Sequence, residues 1–168
     1  MNNELIGQSF LINDFIELDR LVQELIEDLQ INDSLYFKNS NQLIVKMDGD
    51  LATGKTTFVS RFVRFLDPKI EVQSPTYSFI NRYKTSFLEI VHVDLYRLQS
   101  DDEVQSIGFW DLFETPFEEP KKIIFIEWAT KIPENDWPIQ IPCLNLKFEK
   151  IAEQSDSHSN QRKIYISI

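Results

Sequence analysis

Gly49-Asp50-Leu51-Ala52-Thr53-Gly54-Lys55-Thr56 satisfies the pattern G-x-x-x-x-G-K-[ST], and its reading decides the rest of the chain. It follows a short, mostly apolar run, Gln42 to Asp48, and precedes a patterned stretch from Thr56 to Leu66. Strand, tight turn, helix is the simplest assignment. In that setting glycines let backbone N–H groups turn inward around phosphate oxygens, and the helix N-terminus adds partial positive charge where the anion lies. Lys55 would reach the β- and γ-phosphates of a nucleotide, and the Thr56 hydroxyl would ligate Mg²⁺. Two of only four glycines in the chain are placed in this loop. The competing assignment is a glycine-bearing surface turn before a helix.

Outward from the loop, the periodicities describe an α/β layer structure. Phe15, Leu18, Leu21, Val22, Leu25, Ile26 and Leu29 recur at three- and four-residue spacing, with Asn13 or Asp14 available as N-cap, which predicts an amphipathic helix. Tyr77 to Tyr83 and Phe87 to Asp94, separated by Lys84-Thr85-Ser86, predict a hairpin of β-branched and aromatic strands. Asp101 to Ile107 and Phe109 to Phe113 read as short helical turns broken at Gly108. Lys122 to Glu127 (KIIFIE) reads as a fully buried strand of a parallel sheet. Cys143 to Phe148 and Lys163 to Ile168 are expected as strands around an exposed, mobile polar loop, Ala152 to Arg162. The expectation is one domain, 1–168, with a P-loop NTPase-like three-layer fold: a mostly parallel central sheet with antiparallel hairpin additions.

Composition narrows the function. In 168 residues, 27 acidic against 17 basic side chains leave a formal net charge of -10, which repels phosphate backbones over most of the surface. Free-standing nucleic-acid binding is therefore not expected, and a local device is needed to hold a polyphosphate. A single cysteine, Cys143, cannot form an internal disulfide and is expected as a small buried hydrophobe. With His92 and His158 it cannot by itself furnish a structural zinc site. Met1-Asn2-Asn3-Glu4 carries no basic, apolar leader pattern, and no apolar run approaches the ~20 residues of a membrane span. A soluble cytoplasmic protein without membrane contact is the expectation.

A phosphate loop does not by itself separate GTPases, kinases and ATPases. Neither N-K-x-D nor D-x-x-G, which a small GTPase needs, occurs in the chain. Mg²⁺ calls for a further carboxylate at the end of a strand near the loop. Glu127, after Ile123-Ile124-Phe125-Ile126, and Asp94, after Ile90-Val91-His92-Val93, are both candidates; a solvated strand-end acid is the alternative for each. In Ser74-Pro75-Thr76-Tyr77 the proline restricts Ser74 to extended geometry and directs Thr76, whose hydroxyl either senses the γ-phosphate or belongs to an ordinary turn leading into a strand.

GDLATGKTTF, SPTY, HVDLYRL, the isolated glycine of Ile107-Gly108-Phe109, and IEW, in that order, resemble the bacterial TsaE (YjeE) family of small ATPases of tRNA threonylcarbamoyladenosine biosynthesis. The resemblance runs from about Asp14 to the end and is most specific in the middle. It implies binding of ATP and Mg²⁺ and a complex with TsaD-like transferase and TsaB-like scaffold subunits. The TsaD-like partner would transfer threonylcarbamoyl to adenosine 37 of tRNA, with ATP hydrolysis by this chain resetting the complex between turnovers. tRNA would be met only indirectly, through the partners. Carried over, the resemblance makes Gly49, Asp50, Leu51, Ala52, Thr53, Gly54, Lys55, Thr56 and Thr57 the phosphate loop. Thr56 and Glu127 would hold Mg²⁺, Thr76 would lie in a switch-like loop, and Asp94 would be needed for hydrolysis. Trp128 would flank the nucleotide and Asp14 would contact the base.

Two departures stand out. Where the family reads GDLGAGKT, this chain has Ala52 and Thr53; if position 52 needs positive φ, alanine there costs on the order of 1 kcal/mol. The polar segment near Ser155 to Gln161 is longer than the family's terminal hairpin suggests. Two other classes remain open from the residues: a small nucleoside or small-molecule kinase, and a nucleotide-dependent binding module with negligible hydrolysis.

Overall fold

A computed structural model describes residues 5–31, 36–37, 40–114, 120–151 and 161–168. Among them seven strands form one sheet in the order β1-β7-β6-β2-β5-β4-β3. The strands are β1 (Ser9–Ile12), β2 (Gln42–Asp48), β3 (Ile80–Lys84), β4 (Glu89–Asp94), β5 (Lys122–Glu127), β6 (Cys143–Lys150) and β7 (Arg162–Ser167). The four central strands β6, β2, β5 and β4 are parallel, and β3, β7 and β1 add antiparallel at the edges. β2 and β5 lack a polar/apolar alternation because helices or turns cover both faces, so each position is buried wherever it points.

Two helices, α1 (Phe15–Ile31) and α2 (Lys55–Leu66), lie on one face. Asp14 caps α1: its Oδ1 accepts from the Ile16 and Glu17 amides at 2.8 and 2.9 Å, while Glu17 Oε2 reaches back to the Asn13 amide at 2.7 Å. Leu18, Leu21, Val22, Leu25 and Leu29 form the buried stripe of α1. α2 buries Phe58, Val59, Phe62 and Val63, with Phe62 and Phe58 against Phe125 of β5 at 4.9 and 6.4 Å between ring centroids. Each such phenylalanine contributes about 1.5–3 kcal/mol of burial. This packing anchors α2, and with it the loop before it, to the sheet.

The opposite face is covered more thinly, by the short α3 (Asp101–Ser106) and by 3-10 turns at Trp110–Phe113, Ala129–Lys131 and Glu134–Asp136. Phe109, Leu112 and Trp137 pack there on Ile44, Val91, Val93, Ile124 and Ile126. The third layer is thus made of turns more than helices.

The expected helices over 15–29 and 56–66, the break at Gly108 and the strands 42–48 and 122–127 are all present. Four expectations need correction. The strand expected from Tyr77 begins at Ile80, because 75–78 turn, with the Phe79 amide donating to Pro75 O at 2.6 Å. The last strand is Arg162–Ser167, one residue earlier than expected. Cys143 is half-buried, as the first residue of β6 at the margin of the apolar packing on that opposite face. β1 was not foreseen: four residues, Ser9–Ile12, are held by pairing with β7, a partner distant in sequence. Most of the polar loop, 152–160, lies outside the described residues. Within the described residues no helix is long and apolar enough to cross a membrane.

Candidate active site

Sheet register brings the chemistry to one edge. Glu127 at the end of β5 stands level with Met47 of β2 on one side and with Asp94 of β4 on the other. Because these strands are parallel, the loop leaving β2 and both acids emerge together at the C-terminal end of the sheet, where α/β sheets bind ligands.

The loop 49–54 leads directly into α2. Gly49 has φ 142, and a Cβ there would stand 2.2 Å from the carbonyl oxygen of Phe148 in β6, so the backbone passes where no side chain fits. Gly54, at φ 105, is the N-cap of α2, and no side chain caps the helix there. Amides of the first turn therefore point into open space, where a phosphate is well placed to meet them.

Ala52 has φ 60, which realises the strain that the departure from glycine suggested. Thr53, the second departure, is buried, and its hydroxyl donates to Asp50 O at 2.9 Å, bracing the loop from within. Ala52→Gly is expected to raise stability by about 1 kcal/mol, or about 3 °C in Tm for a chain of this size. Thermal unfolding of the two proteins checks this, and an unchanged or lower Tm would show that the loop carries no strain at 52.

Lys55 is 4% exposed, and its Nζ donates to Gly49 O at 2.7 Å and Asp50 O at 2.9 Å. The ammonium also lies 4.4 Å from the centre of the Trp128 ring. Burial lowers its pKa from the ordinary 10.5, against the opposing pull of Glu127, Asp94, Asp48 and Asp50. A buried cation held by two carbonyls of its own loop gains fuller compensation from an anion placed among the same amides.

Thr56 Oγ1 donates to Glu127 Oε1 at 2.6 Å, and His92 Nε2 meets the same oxygen at 2.9 Å. Thr76 Oγ1 donates to Asp94 Oδ2 at 2.7 Å, and Asp94 Oδ1 accepts from the Tyr96 amide at 2.9 Å. The Ser-Pro-Thr turn is thereby tied to the sheet edge, which the spacing of its residues alone left open. Trp128 has φ 61, a conformation uncommon for a bulky residue, and stacks on Tyr96 at 5.1 Å.

One cavity of about 650 Å³ joins these groups, lined among others by Leu51 to Thr57, Thr76, Asp94, Glu127 and Trp128. Ile12, Phe15, Leu18, Phe148 and Ile164 give the same cavity an apolar wall, which it shares with Asp14. The volume suits a nucleotide-sized ligand. Every residue expected at the site except Gly49 and Asp50 lines this cavity, and those two follow β2 directly and hold Lys55 through their carbonyls. Asp14 lines it with one carboxylate oxygen committed to capping α1. Sequence reasoning missed His92, Arg162 and the apolar wall. Alternation along β4 puts His92 on the face of Asp94 and was a usable signal for it; the wall depends on β1, which no local pattern announces, and on its pairing with β7.

The donor set fits Mg²⁺ only as that ion is usually bound. Among the described residues no three His, Cys, Asp or Glu cluster as a metal cage. A hydroxyl and one or two carboxylates beside a phosphate site suit a cation that takes its remaining ligands from phosphate and water.

The fold and site define a P-loop-like α/β protein. Residues 12–164 match the family model described as threonylcarbamoyl adenosine biosynthesis protein TsaE, and the chain belongs to that family. It is similar to the tRNA threonylcarbamoyladenosine biosynthesis protein TsaE of Rickettsia felis, 32% identical over 144 residues that cover 85% of this chain and 73% of that one. The protein of the same description in Bacillus subtilis is 26% identical over 133 residues, 70% of this chain and 80% of the relative. That of Haemophilus influenzae is 34% identical over 103 residues, 59% and 62% respectively. The crystal structure of Bacillus subtilis YdiB superposes with a TM-score of 0.55 at 19% identity, covering 96% of this chain and 85% of that one, and so shares the fold.

Proposed function

We propose that this chain is a Mg²⁺-dependent ATPase that serves, as an accessory subunit, the formation of threonylcarbamoyladenosine at position 37 of tRNA. The observation that carries the reading is the convergence of Lys55, Thr56, Glu127, Asp94 and Thr76 on one cavity at the N-terminus of α2. Family membership supplies the pathway, as the names of the relatives describe it.

In this reading the amides of 50–56 bind the phosphates and Lys55 exchanges its loop carbonyls for phosphate oxygens. Thr56 and Glu127 hold the cation, which supplies neutralisation of charge on the phosphates. Asp94 and Thr76 form a second pair beside it: the Asp94 carboxylate orients the attacking water, and Thr76 couples that carboxylate to the Ser-Pro-Thr turn. The apolar wall beside Asp14 receives the base, and Trp128 flanks the phosphate end. A TsaD-like transferase and a TsaB-like scaffold are the partners, with hydrolysis resetting the transferase between turnovers and tRNA gripped by the partners, consistent with the net charge of -10.

The test is phosphate release from ATP by the chain alone and with both partners, alongside threonylcarbamoyladenosine formation. Hydrolysis that rises on adding the partners, and product formation that stops without this chain, are expected. Stoichiometric phosphoryl transfer to a nucleoside, or no response to the partners, would overturn the reading.

Glu127→Gln is expected to slow hydrolysis by about 100-fold with the fold intact, since it keeps the shape of the side chain and removes the charge at the cation. Turnover measured against Mg²⁺ concentration checks this; a wild-type rate at all concentrations would remove Glu127 from the metal shell.

A further inference from the structure

Glu127 receives two donors on one oxygen. Thr56 Oγ1 lies 2.6 Å from Oε1 and His92 Nε2 lies 2.9 Å from it. Oε1 already accepts from Thr56, and the hydrogen of the imidazole is assigned to Nε2, which then donates to the same oxygen. His92 is wholly buried, and its Nδ1 has no hydrogen-bond partner among the described residues. Ile90, His92 and Asp94 share one face of β4, so the imidazole sits one pleat behind Asp94 and beneath Glu127.

We infer that His92 is a positioning residue that fixes the Glu127 carboxylate for the cation, an inference that rests on the Mg²⁺–ATP reading of this cavity. Thr56 carries the hydroxyl that the cation would draw away from Glu127. The histidine is then the contact that stays, holding Oε1 and with it the orientation of the carboxylate. A residue kept at this place for packing alone would not leave a buried nitrogen unpartnered, since an apolar side chain fills the same space at no such cost. One nitrogen used and one orphaned is the pattern of a ring retained for a single directional bond to a ligating carboxylate.

Three variants test this: His92→Leu removes the donor, His92→Gln returns an amide nitrogen near the position of Nε2, and His92→Asn offers one that falls short of Glu127. Two readouts apply to each, namely ATP turnover and the calorimetric affinity for a non-hydrolysable ATP analogue with and without Mg²⁺. For His92→Leu, turnover and the Mg²⁺-dependent gain in affinity are expected to fall about 10- to 100-fold while the Mg²⁺-free affinity stays at the wild-type value. His92→Gln is expected to recover most of both, and His92→Asn little. The comparison of Gln with Asn stands even if His92→Leu does not fold. Equal values for Gln and Asn, or a wild-type Mg²⁺ gain in the Leu variant, would overturn the inference alone. A wild-type protein that binds the analogue under neither condition would overturn the nucleotide reading, and this inference with it.

Discussion

Lys55→Ala is expected to lower ATP turnover by about 100- to 1,000-fold and to abolish support of threonylcarbamoyladenosine formation, with the far-ultraviolet circular dichroism of the wild type retained. The magnitude is that of removing one preorganised charge from a developing phosphoryl transition state. The ammonium is buried and bound to Gly49 O and Asp50 O, and burial depresses its pKa. Those carbonyls only partly replace water, so a triphosphate in the same nest relieves an existing cost and gains affinity from it. Binding of Mg²⁺–ATP should weaken together with turnover, because in the proposed function the lysine would meet the phosphates before and during the reaction. Calorimetry and phosphate release measure the two separately. An alanine variant that turns over ATP at the wild-type rate would show that the loop does not hold the reacting phosphate.

Gly49→Ala is expected to have the largest effect on stability. The added Cβ would stand 2.2 Å from Phe148 O and 3.0 Å from Phe148 Cβ, and φ at this position is 142. The clash is with backbone of a central strand, which cannot swing aside as a side-chain tip does. β6 is held by β2 on one side and β7 on the other, so relief requires moving a strand or opening the loop. A cost on the order of 3 kcal/mol follows from overpacking combined with an unfavourable dihedral. For a chain of this size that is a fall in Tm of about 6–12 °C. Because the loop would have to shift before the rest of the fold, nucleotide affinity should fall even below the melting range. Thermal unfolding with and without ATP and Mg²⁺ checks both parts; a Tm within two degrees of wild type would mean that β6 yields more easily than its two neighbours allow.

How far the site was legible differs from residue to residue. Lys55 and Thr56 could be placed at the start of α2 because the loop, the strand before it and the helix after it are contiguous, and local sequence suffices to set their geometry. Glu127 and Asp94 could be proposed as strand ends, but their equal height above the sheet depends on the parallel register between β5 and β4. Thr76 was ambiguous because only its hydrogen bond to Asp94, eighteen residues away, separates a sensing turn from an ordinary one. His92 was passed over although alternation along β4 sets it on the face of Asp94; that its ring meets Glu127 depends on the register between β4 and β5.

What the amino-acid sequence determined by itself is what short-range physics controls: the helical and strand periods, the G-x-x-x-x-G-K-[ST] loop with its glycines, the acidic balance of the chain, and the motifs shared with the TsaE family. Tertiary structure alone decided which acid faces which hydroxyl, how β1 and β7 pair to build the apolar wall of the cavity, and that position 52 adopts positive φ despite carrying alanine. The reason is that strand order and register are set by burial summed over both faces of the sheet, a quantity distributed across the whole chain and encoded in no single stretch of it.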